Sequence, residues 1–254
     1  MAGPFSLEGQ LAVVTGARRG IGLAIADALA AAGADVAMVS TAIERDGAAA
    51  RERVEAHGRR CWAFGADFAD REQATDLLAR LRELPRPIDI LVNNAGTIHR
   101  APAAEHSDDA WDRVLEVNLS APFRLARALG SDMVRRGRGK IVFIASLLSF
   151  QGGITVPGYT ASKHAIAGVT KALANEWAPR GINVNAIAPG YIATDNTQAL
   201  RDDPARSQAI VERIPAGRWG RPADLAGAAV FLASPASDYV NGTVLVVDGG
   251  WMAR

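Results

Sequence analysis

Residues 11–30 read LAVVTGARRGIGLAIADALA. A run of apolar residues leads into T-G-x-x-x-G-x-G, with glycines at 16, 20 and 22, and then into a helical pattern rich in Ala and Leu. This is a strand, a tight turn and a helix at the first βα junction. Small residues let a backbone approach a pyrophosphate closely. The helix N-terminus behind them offers unpaired N–H groups and partial positive charge. The stretch therefore predicts a dinucleotide-binding turn built from Gly16, Arg18, Arg19, Gly20, Ile21 and Gly22.

The same rhythm continues outward. Further apolar runs lie at DVAMVS (35–40), RCWAF (60–64), IDILVNN (88–94), KIVFIAS (140–146), NVNAIAP (183–189) and TVLVVDGG (243–250). They are nearly continuous in apolar residues rather than alternating, as in strands buried on both faces of a parallel sheet. Longer helical segments separate them, and the one at 165–181 ends in the stop signals Pro179 and Gly181. The expectation is one Rossmann-type domain over 1–254: a doubly wound α/β parallel sheet of about seven strands with helices on both faces. Residues 190–222 break the alternation and are the expected substrate lid.

Composition narrows the function. The chain has 254 residues, 49% apolar and 22% charged, with a net charge of +1, so it is an ordinary globular chain with no broad basic face for nucleic acid. Its densest basic run, RRGRGK (135–140), reads as a solvated helix end and turn. A single cysteine, Cys61, excludes an internal disulfide and reads as a buried, inert thiol. Four scattered histidines, with no CxxC or HExxH, argue against a metal site. No apolar run is long enough to span a membrane, and MAGPFSLEGQ lacks a signal-peptide pattern, so a cytoplasmic location is expected.

The end of the second strand bears on the cofactor. An acidic residue usually holds the adenosine ribose of NAD there, but VSTAIER (39–45) supplies Ser40 and Thr41 instead. With Arg18 and Arg19 available to a 2′-phosphate, the residues lean toward NADP. Asp67 and Phe68, in GADFAD after the third strand, are placed to meet the adenine.

Tyr159 and Lys163, in YTASK, lie four apart on one helical face. Ser146 closes the strand KIVFIAS, at the edge where such sheets bind ligands. Trp111, Val114, Leu115 and Asn118 form one stripe of a helix, and the polar Asn118 on it needs partners. Pro122 cannot donate the backbone hydrogen bond that the Asn118 carbonyl would normally accept. That carbonyl is thereby offered to a water linked to Lys163; a plain proline kink is the alternative.

Taken together, TGARRGIG, NNAG (93–96), Asn118, Ser146, YTASK and PG (189–190) resemble the short-chain dehydrogenase/reductase family over nearly the whole chain. The resemblance implies a nicotinamide cofactor, NAD or NADP, and a catalytic set of Ser146, Tyr159, Lys163 and Asn118. It implies that Asn93, Asn94 and Ala95 run along the cofactor ribose with Gly96 allowing close approach. Pro189, Gly190, Ile192 and Thr194 are then at the nicotinamide. In that scheme an ammonium beside the phenol favours the phenolate, and Tyr159 exchanges the proton as hydride moves. Stretches such as NNAGTIHR (93–100), ASLLSFQGG (145–153) and NAIAPGYIATDNTQALR (185–201) resemble the members that act on small sugar acids. That group mostly uses NAD, against the lean of the arginines. Arg100, Gln151 and His99 are the candidate substrate residues, because a sugar acid needs a cation and polar donors. Other carbonyl reductases, including 3-oxoacyl-[acyl-carrier-protein] reductases, share the motifs, and a non-catalytic NAD(P) sensor is a rival of another class. The resemblance also implies a homotetramer, with helices 107–136 and 158–178 pairing and GGWMAR reaching a neighbour.

Overall fold

The structure is a computed structural model that describes residues 3–254. Seven parallel strands form one sheet: β1 (Leu11–Thr15), β2 (Asp35–Val39), β3 (Cys61–Phe64), β4 (Ile90–Asn93), β5 (Gly139–Ile144), β6 (Ile182–Pro189) and β7 (Val244–Val247). Their spatial order is β3-β2-β1-β4-β5-β6-β7. The chain starts in the middle, walks out to β3, and returns across β1 to build the other half. This reversal between β1 and β4 opens a crevice at the carboxyl ends of the strands.

Side-chain alternation along β1 shows why the run is apolar throughout. Leu11 and Val13 enter a core on one face, with Leu77 and Leu81 of helix α4 (Arg71–Arg82). Ala12 and Val14 enter the opposite core, with Ile25 and Leu29 of helix α1 (Gly20–Ala31). Between these helices lie α2 (Ile43–Asp46) and α3 (Ala48–Glu55). Burial on both faces holds for β1, β2, β4 and β6, but β7 is only half-buried along its whole length. It is an edge strand of the sheet, as β3 is at the other side, and the described residues leave it partly uncovered.

The helix expected over 107–136 is present but not regular. Ser107 caps α5 (Asp108–Leu115) by accepting the N–H of Ala110 at 3.3 Å. A π-helical turn follows at Glu116–Ser120, then α6 (Ala121–Arg136), which Gly137 ends with φ 72°. The long helix α7 (Pro157–Trp177) begins on its proline; a short 3-10 turn and Gly181 at φ 76° end it. The lid region carries α8 (Gln198–Arg201) and α9 (Pro204–Arg213); α10 (Ala226–Ala233) packs back on the sheet. A third, small hydrophobic cluster of Leu147, Ile210, Ile214 and Trp251 ties the lid to the C-terminal turn. Within the chain, Trp251 of GGWMAR packs in this cluster.

The basic run 135–140 is neutralised locally. Arg135 pairs with Asp132, while Arg136 and Arg138 face Asp89 at 3.9 and 3.6 Å. Cys61 is buried, and burial pushes its thiol up to about 11, well away from a reactive thiolate. Among the described residues no helix is long and apolar enough to cross a membrane, and no group of His, Cys, Asp and Glu is arranged to hold a metal.

Candidate active site

The crevice of about 640 Å³ at the switch point gathers most of the expected residues. The glycine turn with Arg18, Arg19 and Ile21 lines it, as do Ser40, Asp67, Phe68, Asn94, Ala95 and Gly96. Pro189, Gly190, Ile192 and Thr194 line the far side, next to Ser146, Tyr159 and Lys163. Asn93 lies buried outside the lining. Asn118, Arg100, Gln151 and His99 also stand outside it.

The turn has no room for side chains. A Cβ on Gly22 would sit 2.2 Å from the Gly16 carbonyl oxygen, and one on Gly16 would sit 2.7 Å from Asn94 Nδ2. Gly16 also needs φ 65°. Thr15 locks this turn to the next loop. Its buried hydroxyl accepts the N–H groups of Asn94 at 3.0 Å and Ala95 at 2.9 Å. Asn94 Nδ2 in return donates to the Thr15 carbonyl at 2.9 Å. Sequence reasoning passed over Thr15; the threonine before Gly16 was the available signal. The first turn of α1 has neither a side-chain cap nor an acidic residue. Its free N–H groups and closely approachable backbone suit a pyrophosphate, so the residues present fit a dinucleotide.

Two ion pairs border the crevice. Arg19 meets Asp195 at 2.5 Å, and Arg113 approaches Asp67 at 3.8 Å. Arg113 is a lining residue that no motif had marked. No carboxylate follows β2 within the crevice, where Ser40 and Thr41 stand.

Ser146 follows β5, and its Oγ accepts the N–H of Leu148 at 3.2 Å, starting a 3-10 turn. Tyr159 lies in the first turn of α7, and Lys163 one turn later. The Lys163 Nζ is 5.5 Å from the centre of the phenol ring and donates to the Ile144 carbonyl at 2.6 Å. Burial pushes the Tyr159 phenol above its ordinary value; the Ser146 hydroxyl and the positive charge of Arg100 pull it down without offsetting burial. Burial lowers the Lys163 ammonium to about 8. The expected depression of the phenol by Lys163 therefore does not prevail in the protein alone. The ammonium is turned toward a carbonyl, and removing the phenolate from water costs more.

Asn118 is 2% exposed on the π turn, where the Ala121 N–H donates to the Glu116 carbonyl, five residues back. Its Oδ1 accepts the N–H of Thr97 at 2.8 Å, and its Nδ2 donates to the Thr97 carbonyl at 2.9 Å and to Ser162 Oγ at 3.1 Å. The side chain therefore pins the loop after β4 to α7. The stripe is incomplete at its start: Trp111 is exposed.

The substrate candidates divide. Arg100 donates to the Asn196 carbonyl in the lid at 3.3 Å and is close enough to act on Tyr159. Gln151 accepts the Trp251 indole N–H at 3.2 Å. His99 is exposed and packs edge-on against His106, with ring centres 5.0 Å apart.

The short-chain dehydrogenase pattern described as Enoyl-(Acyl carrier protein) reductase matches residues 16–252. A 2-dehydro-3-deoxy-D-gluconate 5-dehydrogenase of Pseudoalteromonas atlantica is 59% identical over 98% of both chains. Its Bacillus subtilis counterpart is 56% identical over 98% of this chain and 97% of its own. Among solved structures, an Agrobacterium tumefaciens protein provisionally assigned as 2-deoxy-D-gluconate 3-dehydrogenase, with bound NADP, is 56% identical with TM-score 0.92 over 99% of both chains. A Burkholderia cenocepacia gluconate 5-dehydrogenase in complex with NADP and tartrate is 41% identical with TM-score 0.93, covering 99% of this chain and 98% of its own. With the glycine cradle, the Ser146–Tyr159–Lys163 set and these matches over nearly its full length, the chain belongs to the short-chain dehydrogenase/reductase family of NAD(P)-dependent oxidoreductases.

Proposed function

We propose that this enzyme interconverts a secondary alcohol and a ketone on a small sugar acid of the 2-deoxy-D-gluconate or 2-keto-3-deoxygluconate type, with NADP or NAD. The observation that carries the reading is the convergence of Ser146, Tyr159 and Lys163 on one crevice with the glycine cradle. The names of the similar dehydrogenases supply the substrate class. The nicotinamide dinucleotide, when bound, supplies or accepts the hydride.

Gly16, Gly20, Gly22 and the α1 N-terminus hold the pyrophosphate, and Ile192 and Thr194 hold the nicotinamide end. Asp67 and Phe68 are at the adenine. Arg18, which lines the crevice with Ser40 and Thr41 where no carboxylate follows β2, favours the 2′-phosphate of NADP over the bare ribose of NAD, while Arg19 would have to leave Asp195 to join it. Ser146 hydrogen-bonds the reacting oxygen. Tyr159 takes the alcohol proton in oxidation and returns it in reduction. Because burial raises the phenol, oxidation requires positive charge to gather at Tyr159, from Lys163, Arg100 and the oxidised cofactor ring. Asn118 holds the loop and helix in register, and its main-chain carbonyl, denied a Pro122 donor, is free to take a water toward Lys163. Arg100 is the cation for the substrate carboxylate, with His99 at its side; residues 190–222 form the lid.

A homotetramer in the cytoplasm completes the reading. The half-buried β7 and exposed Trp111 and Phe123 on α5 and α6 support further association. An acyl-carrier substrate fits less well, because the arginines at 135–138 that would dock it are paired with Asp132 and Asp89.

The test is a panel of sugar acids with NAD and with NADP, read by nicotinamide absorbance, with acetoacetyl thioester as a control. Turnover of sugar acids, faster with NADP, is the expected outcome. Turnover of the thioester alone would replace the substrate assignment, and binding without any turnover would replace the enzyme assignment by a sensor.

A further inference from the structure

Among the described residues, Thr155 is the one residue other than glycine with a positive φ, at 63°. A β-branched side chain crowds the backbone there, so the conformation is strained and its surroundings must hold it. The side chain does not supply the reason. Thr155 is exposed, and its hydroxyl only turns back on the Ile154 carbonyl at 2.6 Å. Ile154 beside it is 81% exposed, so the pair fills no core. The left-handed turn instead aims a carbonyl: the Thr155 oxygen accepts the N–H of Ala101 at 3.0 Å.

That bond joins two distant segments. One is the loop after β4. Asn118 holds its start, bonding the N–H and the carbonyl of Thr97 at 2.8 and 2.9 Å. Thr155 holds its end at Ala101. Arg100 stands between these anchors. Its guanidinium donates to the Asn196 carbonyl at 3.3 Å, and its positive charge bears on the Tyr159 phenol. Asn196 and Tyr159 both line the crevice. The other segment leads straight into α7: Val156 is buried, Pro157 opens the helix, and Tyr159 follows. On its other flank Gly153 is tightly packed, since a Cβ there would lie 2.5 Å from Val156 and 2.6 Å from Leu148. Firm packing on both sides of Thr155 thus keeps its carbonyl aimed, and that carbonyl ties the Arg100 loop to the head of the Tyr159 helix.

We infer that Thr155 is a positioning residue: its left-handed backbone carries the carbonyl that fixes Arg100 between the Tyr159 phenol and the lid. The inference rests on the sugar-acid reading above, in which Arg100 is the cation for the substrate carboxylate. The role belongs to the backbone of residue 155 and not to its side chain. Substitutions there should therefore sort by whether they accept a positive φ, not by polarity or size. Glycine accepts it freely and asparagine readily, whereas proline, locked at about −65°, does not. Proline costs no main-chain hydrogen bond of its own here, because the Thr155 N–H donates to no main-chain carbonyl among the described residues.

The experiment compares wild type, Thr155→Gly, Thr155→Asn, Thr155→Pro, Arg100→Met and the Thr155→Pro/Arg100→Met double variant. Each is assayed at saturating NADP on the sugar acid that the panel above finds best. Arg100→Met sets the scale and should lower kcat/KM for the acid about tenfold, the worth of one charge-assisted hydrogen bond. Thr155→Pro should show most of that loss, about fivefold, with KM for NADP in place. Thr155→Gly and Thr155→Asn should stay within about twofold of wild type. The double variant should be no worse than Arg100→Met alone, because both changes remove one effect. Ala101→Pro removes the donor from the other side of the same bond; it should repeat the loss, and it decides the matter if Thr155→Pro does not fold. If no sugar acid is turned over, or Arg100→Met keeps the wild-type value, the substrate reading fails and the inference with it. If Arg100→Met falls while Thr155→Pro and Ala101→Pro do not, the inference alone is overturned. Losses that add in the double variant would also overturn it, as would Gly and Asn variants that fall as far as Pro, since the side chain would then carry the effect.

Discussion

Lys163 carries a strongly displaced charge in the site. Its ammonium is 5% exposed and burial lowers it to about 8, against an ordinary 10.5. The fold thus bears about 3 kcal/mol for keeping that ammonium charged at neutral pH. The sign of the linkage follows. Between pH 8 and 10.5 the unfolded chain keeps a proton that the folded chain has released, so Lys163 makes stability rise with pH across that window. Tyr159 works the other way. Its phenol is raised, so it opposes the rise only above its ordinary value of 10.0, where the unfolded chain ionises first. Urea midpoints of the free protein should therefore climb from pH 8 toward 9, above which the raised Cys61 thiol opposes the climb, and Lys163→Met should remove that climb. Parallel curves for the two proteins would mean that the ammonium is better solvated than its surroundings indicate.

Among elements, the π turn and the glycine turn matter most. Asn118→Ala would leave the Thr97 N–H and carbonyl without their partners. A loss of about 2–4 kcal/mol is expected by denaturant unfolding, together with weaker cofactor binding as the loop after β4 loosens. Gly22→Ala would push a methyl against the Gly16 carbonyl, where a Cβ finds only 2.2 Å. Fluorescence titration should show dinucleotide affinity falling at least tenfold, with the fold retained; unchanged affinity would show that the turn can yield. These elements also mark what the sequence made legible. Both-face burial made β1, β2 and β4 plain as nearly continuous apolar runs, β6 was legible despite the buried Asn183 and Asn185 within it, and Pro157, Gly137 and Gly181 marked helix ends. The glycine spacing led directly to the crevice. The role of Thr15 was hidden because it depends on a loop nearly eighty residues later. The Gln151–Trp251 bond joins positions a hundred apart, and Arg113 reaches the crevice from an otherwise polar helix face. The rise of the phenol was missed for a different reason. Burial of a polar atom is a property of the packed surroundings, not of the residues beside it in the chain.

For the whole molecule, the sheet is closed on both faces but open at its β7 edge, and α5 and α6 present exposed Trp111 and Phe123. Light scattering should give the mass of a tetramer, and Phe123→Asp should shift it toward smaller species. The chemistry needs the whole arrangement: a cradle from β1 and α1, an oxygen anchor after β5, and a proton carrier on α7. The direct test is hydride transfer by purified protein with a sugar acid and NADP, wild type against Tyr159→Phe. The variant should bind NADP as wild type does and lose about 10²–10⁴-fold in kcat, the share of a general acid–base group. A variant that keeps its rate within about threefold, well inside that range, would contradict the role assigned to the phenol and the mechanism built on it.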